Sequence, residues 1–311
     1  MEKQASIFVA GGRTLIGGAI HQALRREGYT GIVAMPEAEP DLRCASSVAN
    51  FFARTRPRYV FLMAGMSGGI GANRTYPASL MLDNLMVQSH VIDCAYRFGT
   101  TRLFYLASSC SYPRDCPQPM REESLFTGPL EPTNEAYAVA KLAGLTLCKA
   151  YCDQYGADFI SGIPANVFGP GDDFSPENSH VVGALLARMH AAKLRTEESV
   201  SIWGTGNALR EFVYVDDIAA ACLFLMNTAQ ERIGIGPINI GGGETVSIRE
   251  LAETIQAVVG YRGELIYCTD KPDGMPIKQL DATRIQALGW QPKTSLRAGL
   301  EATYCAYRKS A

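Results

Sequence analysis

The glycine turn close to the start of the chain constrains the fold more than any other stretch. An apolar run at 5–10 predicts a β-strand, Gly11–Gly17 follows it, and a helical pattern continues through Ile20 and Leu24 to Gly28. A strand, a glycine turn and a helix in this order are typical of a dinucleotide-binding fold, in which the helix N-terminus faces a pyrophosphate. The spacing is G-x-x-x-x-x-G, with a threonine where a middle glycine is usual.

Strands and helices alternate through the rest of the first half. Apolar runs at 32–35, 59–63 and 103–106 predict strands, and helical patterns lie at 48–52 and from Asp83 onward. Such alternation implies a parallel sheet whose ligands lie at the carboxyl ends of the strands. We therefore expect an α/β fold with a Rossmann-type doubly wound parallel sheet.

The second half of the chain predicts a smaller domain, because loops rich in Gly, Pro, Asp and Asn interrupt the rhythm from Asn166 onward. We expect a dinucleotide-binding Rossmann domain over 1–165, to which the segment 212–227 returns, and a C-terminal α/β substrate-binding domain over 166–311. The elements predicted in this half are helices at 181–192, 218–226 and 248–259, and a strand at 212–215 that rejoins the first sheet, with Asp216 capping the helix after it.

Composition excludes several classes of protein. The formal net charge of the 311 residues is -2, so bulk charge implies no nucleic-acid partner. No apolar run approaches the about 18 residues of a membrane span, and the N-terminus lacks a signal-peptide pattern, so we expect no membrane partner. The nine cysteines are odd in number, which is typical of a reduced, cytoplasmic protein. We expect no metal site, because Cys148 and Cys152 have no further His or Cys near them in the sequence.

Two polar side chains share one face of a predicted helix. Tyr137 and Lys141 are four residues apart, so both heads can point into the same site. A phenol titrates near pH ~10, and a neighbouring ammonium favours the phenolate, so we expect Lys141 to lower the pKa of Tyr137. On any helix such a pair is more often a packed ring beside a solvated charge. Ser108, at the end of a predicted strand, makes a hydroxyl triad the better interpretation.

The glycine turn, Ser108 and the pair Tyr137-x-x-x-Lys141 resemble the extended short-chain dehydrogenase/reductase superfamily. The finer resemblance is to the GDP-L-fucose synthase family, and it runs in family order along nearly the whole chain. The segments that carry it are Ser108–Pro113, Leu130–Glu135, Pro164–Pro170, Asn178–Val181, Trp203–Gly206, Arg210–Asp217 and Lys271–Gly274.

The resemblance implies two reactions in one site. Members of the family epimerise GDP-4-keto-6-deoxy-D-mannose at C3 and C5, and then reduce C4 with NADPH to give GDP-L-fucose. Both carbons lie next to the ketone, and inverting each needs one group to remove a proton and another to return it on the opposite face. By resemblance this pair is Cys110 and His180. For the reduction, Ser108 binds the C4 carbonyl, and Tyr137 gives its proton to the forming alkoxide. Lys141 tunes Tyr137 and holds the nicotinamide ribose.

The resemblance also assigns binding residues and a cofactor, NADP(H), with NAD(H) left open. The cofactor-binding residues are Gly11, Gly12, Arg13, Thr14, Leu15, Ile16, Gly17, Leu42, Ala64, Gly65, Leu106, Ala107, Lys141, Pro164, Asn166, Val167 and His180. The residues that bind the GDP-sugar are Ser109, Asn166, Arg188, Trp203, Arg210, Asp273 and Lys278.

A homodimer is expected as well. The helices that start near Asn84 and Tyr137 carry apolar residues beyond one core face, and in the superfamily such helices pair between subunits. These apolar residues are Val87, Val91, Leu142 and Leu145.

Departures from the family pattern leave two questions open. Glu37 suits the ribose 2′-hydroxyl of NAD(H), whereas Arg13 suits the 2′-phosphate of NADP(H). Met66, Ala165 and Ile277 replace residues that the family usually has. The alternative function is therefore a 4-reductase or epimerase/reductase on a related GDP-4-keto sugar, either another deoxyhexose or a heptose. A dinucleotide sensor without activity would be expected to have a damaged site, whereas all five catalytic residues are present.

Overall fold

The computed structural model describes residues 1–175, 179–271 and 273–310. Its strands are β1 (Ile7–Ala10), β2 (Tyr59–Leu62), β3 (Arg102–Leu106), β4 (Phe159–Pro164), β5 (Asn166–Phe168), β6 (Ser199–Trp203), β7 (Leu209–Tyr214), β8 (Pro237–Ile240), β9 (Glu244–Ser247), β10 (Glu264–Cys268) and β11 (Ile277–Lys278). Its α-helices are α1 (Leu15–Arg26), α2 (Ala45–Thr55), α3 (Ile70–Thr75), α4 (Pro77–Arg97), α5 (Glu135–Tyr155), α6 (Val181–Leu194), α7 (Val215–Asn227), α8 (Gln230–Ile233), α9 (Ile248–Val259), α10 (Thr283–Leu288) and α11 (Leu296–Ser310).

The main sheet has five parallel strands in the order β1-β2-β3-β4-β8. Every residue of β1, β2 and β4 is buried, as is typical of parallel strands that are covered on both faces. The helices that cover them pack in two groups, α1 against α7, and α4 against α2 and α5. This arrangement confirms the prediction of a Rossmann-type doubly wound α/β fold.

A second group of elements follows β4. Strand β7 pairs in parallel with β5 and β11 and antiparallel with β9, while β6 and β10 form a separate parallel pair. Helices α6, α9 and α11 pack together around a second core that includes Leu186, Met189, Leu251 and Leu300. Helix α9 has the predicted bounds, and its N-terminus carries a capping box formed by Ser247 and Glu250.

Two predicted elements of the first half differ in the structure. The run 32–35 forms no strand; Ile32 makes only an isolated bridge to Ile7, and Pro36 then opens a 3-10 turn. A proline carries no backbone N–H and stops the ladder. Helix α4 begins at Pro77 and not at Asp83, because a proline is compatible with the first helical position.

The predicted return of 212–215 to the main sheet is wrong. The open edge of β4 is already occupied by β8, whose Ile238 pairs with Gly162, so β7 belongs to the second sheet. Helix α7, however, does pack against α1 and the strands β3 and β4 of the main sheet. Asp216 does not cap this helix, which starts at Val215; its carboxylate pairs with Arg26 instead.

All nine cysteines carry free thiols. Among the described residues, no helix is both long and apolar enough to cross a membrane.

Candidate active site

The glycine turn joins β1 to α1 and leaves no room for side chains at its two ends. Gly11 has φ +90°, and a Cβ on it would lie 2.5 Å from the backbone N of Ala64. A Cβ on Gly17 would lie 2.0 Å from the carbonyl oxygen of Gly11. Thr14 caps α1: its hydroxyl donates to the Gly11 carbonyl at 2.8 Å and accepts from the Gly17 amide at 3.1 Å. Thr14 thus replaces a glycine with a residue that stabilises the turn.

The acidic residue that reaches this turn is Glu39, which the sequence analysis missed. Its carboxylate accepts hydrogen bonds from the amides of Gly11 and Gly12. Burial raises the pKa of Glu39, and the two amide bonds lower it in part. Glu37, the residue selected from the sequence, is exposed. No sequence signal distinguishes these two acids, since the 3-10 turn at Pro36 decides which of them faces the glycines.

Arg13, within the glycine turn, contacts the 3-10 turn that begins at Pro36. Its Nε donates to the carbonyl oxygen of Pro36 at 3.1 Å, and the side chain is otherwise exposed. A guanidinium and a carboxylate therefore both border the turn that the sequence assigns to the adenosine end of a dinucleotide.

Other residues predicted to bind the cofactor line the carboxyl edge of the main sheet. Ala64 and Gly65 follow β2, Ala107 follows β3, and Pro164 ends β4. Because parallel strands end at the same edge, these residues lie in one row with the glycine turn. The remaining members, Leu15, Ile16, Leu42, Leu106 and Val167, are buried or half-buried beside that row.

The predicted hydroxyl triad is assembled where β3 ends and α5 begins. The Ser108 side chain hydrogen-bonds Tyr137 and also accepts from the Cys110 amide, at 3.2 Å in the latter case. Lys141 is 6% exposed; its Nζ donates to the Leu106 carbonyl at 3.3 Å and lies 5.8 Å from the Tyr137 ring centre.

The electrostatics of the triad differ from the prediction. Burial raises the pKa of Tyr137, Cys110 raises it further, and only the Ser108 hydrogen bond lowers it. Burial also lowers the pKa of Lys141 to about 8, against a raising effect of Asp83. The expectation that Lys141 lowers the pKa of Tyr137 is therefore wrong for the protein alone, because burial dominates and the lowering effect comes from Ser108.

Cys110 lies in the 3-10 turn after Ser108 and is half-buried. Two donors converge on its Sγ: Nδ2 of Asn134 at 3.2 Å and Nζ of Lys278 at 3.4 Å. His180 immediately precedes α6. The residue as a whole is exposed, but desolvation by the protein around the imidazole, and then Lys278, lower the pKa of His180, while Asp173 raises it. One lysine thus contacts Cys110 and acts electrostatically on His180, the two residues predicted to transfer protons.

The residues predicted to bind the GDP-sugar fall into two groups. Arg210 and Lys278 are paired across β7 and β11, and Arg210 Nη2 donates to the Asp273 carbonyl at 3.3 Å. Asn166 lies on the neighbouring β5, where its side chain donates to the Glu211 carbonyl at 2.8 Å.

The other members lie on β6, on α6, and in loops or turns. Trp203 ends β6 and is 62% exposed, and Arg188 donates to the Ser201 carbonyl of that strand. The Asp273 carboxylate binds Thr205. Ser109 is buried. Of the matched motifs, Asn178 and Pro272 lie outside the described residues.

The described residues contain no group of three or more His, Cys, Asp or Glu side chains that could hold a metal ion.

Comparison with known proteins identifies the class. Residues 7–241 match the model of the NAD dependent epimerase/dehydratase family, and the chain belongs to that family. GDP-L-fucose synthase 1 of Arabidopsis thaliana is 50% identical over 99% of this chain and 95% of its own length. GDP-L-fucose synthase of Escherichia coli is 45% identical, covering 98% and 96%. Within the family the chain is thus a relative of the GDP-L-fucose synthases, as the motifs predicted.

Solved structures of proteins that act on GDP-sugars have the same fold as this chain. A GDP-6-OMe-4-keto-L-xylo-heptose reductase from C. jejuni superposes with a TM-score of 0.93 at 31% identity, covering 100% of this chain and 99% of its own. A GDP-L-fucose synthetase from Naegleria fowleri bound to NADP gives a TM-score of 0.90 at 28% identity, covering 100% and 96%.

Proposed function

We propose that this protein epimerises GDP-4-keto-6-deoxy-D-mannose at C3 and C5 and then reduces C4 with NADPH to give GDP-L-fucose. One observation carries the proposal: the acid-base pair Cys110 and His180 and the reducing group Ser108, Tyr137 and Lys141 form one connected cluster. An enzyme that only reduced a ketone would need the second set alone. The identity of 45–50% to proteins named GDP-L-fucose synthase supports the same substrate.

Epimerisation needs two groups that exchange protons near neutral pH on opposite faces of the sugar. The lowered pKa keeps His180 neutral at pH 7, so its imidazole can accept a proton. Cys110 receives two hydrogen-bond donors, so its sulfur can accept a proton as well. Removing a proton from C3 or C5 places charge on the C4 oxygen, and the Ser108 hydroxyl is the donor assigned to that oxygen.

Reduction uses the same ketone after both inversions. The cofactor supplies the hydride. Tyr137 gives its proton to the oxygen formed at C4, and the raised pKa keeps the phenol protonated until that moment. Lys141 is mostly protonated at neutral pH with a pKa of about 8, so it can hold a ribose hydroxyl and assist the proton transfer.

The glycine turn fits a dinucleotide. A side chain at Gly11 or Gly17 would collide with backbone, so close approach of a pyrophosphate to the start of α1 is preserved. Relatives bound to NADP and the guanidinium of Arg13 favour NADPH as the reductant. Glu39 at the same turn favours a 2′-hydroxyl, so NADH should also be accepted, less efficiently.

The domain division follows the two tasks. We propose that 1–165 together with α7 and β8 binds the dinucleotide, and that the remaining elements of 166–311 bind the GDP-sugar. Arg210 and Arg188 supply the positive charge that a diphosphate requires in the second unit.

The runner-up is a related GDP-4-keto sugar. GDP-L-colitose synthase of Yersinia pseudotuberculosis, which is named for another sugar, is 31% identical, covering 97% of both chains, against 45–50% for the GDP-L-fucose synthases of Escherichia coli and Arabidopsis thaliana. Because the fold matches the heptose reductase closely, a GDP-4-keto heptose is one of the substrates of the product assay.

We further propose a cytoplasmic homodimer. The nine free thiols suit a reducing compartment. The four residues on which the dimer was predicted, Val87, Val91, Leu142 and Leu145, are buried within the single chain and cannot all face a partner. The outer side of α5 carries an apolar groove lined by Leu142 of this set together with Val139, Leu147 and the exposed Phe126, and this groove is the surface we assign to the second copy.

The direct test is a product assay. Purified protein is incubated with GDP-4-keto-6-deoxy-D-mannose, a GDP-4-keto heptose or other GDP-4-keto sugars, with NADPH or NADH, and products are resolved by NMR. We expect GDP-L-fucose from the first substrate at the highest kcat/KM. A higher kcat/KM for a heptose, or a C4-reduced product with C3 and C5 unchanged, would contradict the proposal.

A further inference from the structure

We propose that Lys278 and Asn134 are positioning residues that hold Cys110 in its thiolate form. The family resemblance assigns Lys278 to the GDP-sugar. The structure places its ammonium against the sulfur, with Nζ 3.4 Å from Sγ of Cys110. The two residues are 168 positions apart in the chain, and Lys278 is held on β11 by the pairing of that strand with β7.

The surroundings of Cys110 support a sulfur that acts as an acceptor. Its Sγ receives one donor from Lys278 and a second from the Asn134 amide, at 3.2 Å. A thiolate has lone pairs for both donors and no proton of its own to place, and a cation beside it favours the charged form.

The Asn134 side chain contacts the Cys110 sulfur instead of capping helix α5. Asn134 is the N-cap of α5, where an asparagine side chain usually accepts an amide of the first helical turn. Its side chain makes no such cap, its Nδ2 goes to the sulfur, and its Oδ1 is buried without a partner. A cap is given up and a polar atom left unsatisfied, so the sulfur contact is the interaction that this side chain favours.

Lys278 also separates the roles of the two proton-transfer residues. Burial, and then the same ammonium, lower the pKa of His180 and favour its neutral imidazole. The Cys110 thiolate can therefore remove a proton, and the ammonium keeps its own proton throughout. His180, which is exposed, takes up a proton from solvent and returns it on the opposite face of the sugar. If the proposed epimerisation is correct, the C–H bond next to the ketone breaks, its electron pair enters the enolate, and the proton forms the S–H bond of Cys110.

The experiment measures Cys110 directly and needs no sugar. Wild type and variants are treated with iodoacetamide at pH 7, and alkylation of each cysteine is followed by peptide mass spectrometry. We expect Lys278→Met to slow alkylation of Cys110 at least ~10-fold, because it removes the cation that favours the thiolate. Lys278→Arg, which keeps the charge, should remain within ~3-fold of wild type. The exposed Cys44 is the internal reference in every sample.

Two further variants separate this role from a structural one. Lys271→Met makes the same change at an exposed lysine that pairs with Asp270, and it should leave Cys110 alkylation unchanged. Asn134→Asp keeps a residue that caps helices well, so the fold is retained, but it places a negative charge beside the sulfur; we expect alkylation to slow ~10-fold.

Each possible result either supports or overturns the proposed role of Lys278. Wild-type alkylation in Lys278→Met, with only a raised KM for the GDP-sugar, would make Lys278 a diphosphate ligand and overturn the proposal. Equal slowing in Lys278→Met and Lys278→Arg would show an effect of shape and overturn it too. Slowing in Lys278→Met and Asn134→Asp with rescue by arginine supports it, even if the GDP-sugar assay fails, since alkylation does not depend on the substrate.

Discussion

Lys141→Met should make the protein more stable at neutral pH while it disables the reduction. Lys141 is 6% exposed, and burial lowers its pKa from 10.5 to about 8. At ~1.4 kcal/mol per pH unit, keeping this ammonium charged at pH 7 costs about 3 kcal/mol. Losing the bond to the Leu106 carbonyl costs about 1–2 kcal/mol, so methionine should gain about 1–2 kcal/mol.

The stability difference between Lys141→Met and wild type should depend on pH, because the pKa of Lys141 differs between the folded and unfolded states. Between pH 8 and 10.5 the unfolded wild type binds more protons than the folded one, so wild-type stability rises relative to the variant. The advantage of Lys141→Met should be full below pH 8 and shrink by about 1 kcal/mol between pH 7 and 9. Urea unfolding at both pH values measures it, and NADPH oxidation should fall at least ~10²-fold. A variant less stable than wild type at pH 7, or a pH-independent difference, would refute the reasoning.

Three further predictions concern the proton donor, the cofactor and the dimer. Tyr137→Phe removes the phenol proton and keeps the ring, so kcat for NADPH oxidation should fall at least ~10²-fold with little change in NADPH affinity; turnover near wild type would exclude Tyr137 as the donor. Wild type should prefer NADPH modestly, Arg13→Ala should lower that preference in kcat/KM, and Glu39→Gln should raise it by about tenfold. Glu37→Gln is the matched control for Glu39, and an effect at Glu37 alone would reverse the assignment. By light scattering at micromolar concentration the wild type should be a dimer and Val139→Glu a monomer, whereas Leu194→Glu, exposed on α6, should stay dimeric; a monomeric wild type would rule out the dimer.

The sequence predicted those features that depend on local chemistry. The strand, glycine turn and helix at the N-terminus follow from periodicity and from two positions that only glycine can occupy. The strand begins two residues later than predicted, and the helix starts at Leu15, inside the predicted turn. Helix α9 is recognisable because its capping box and its C-terminal glycine both have sequence signatures. The run 32–35 looked like a strand by composition, but at a sheet edge a single proline was enough to end the pairing.

The features that escaped prediction depend on contacts between distant segments. Nothing near Lys278 indicates that β11 will bring it to Cys110, and nothing near Glu39 indicates that its carboxylate, rather than that of Glu37, will meet the glycine amides. The predicted direction of the shift in the Tyr137 pKa was wrong for a similar reason. Spacing on a helix shows that two side chains are neighbours, but not how far each is removed from water.

The most direct test of the central claim, that one site performs two chemistries, is deuterium exchange without reduction. Wild type and GDP-4-keto-6-deoxy-D-mannose are incubated in D₂O with no reducing cofactor, and C3 and C5 are followed by NMR. We expect deuterium at both carbons, slower exchange in Cys110→Ser and His180→Asn, and retained exchange in Tyr137→Phe, which should reduce poorly when NADPH is added. If wild type incorporates no deuterium at either carbon, the protein is a reductase alone and the account of Cys110 and His180 as a proton-transfer pair is wrong.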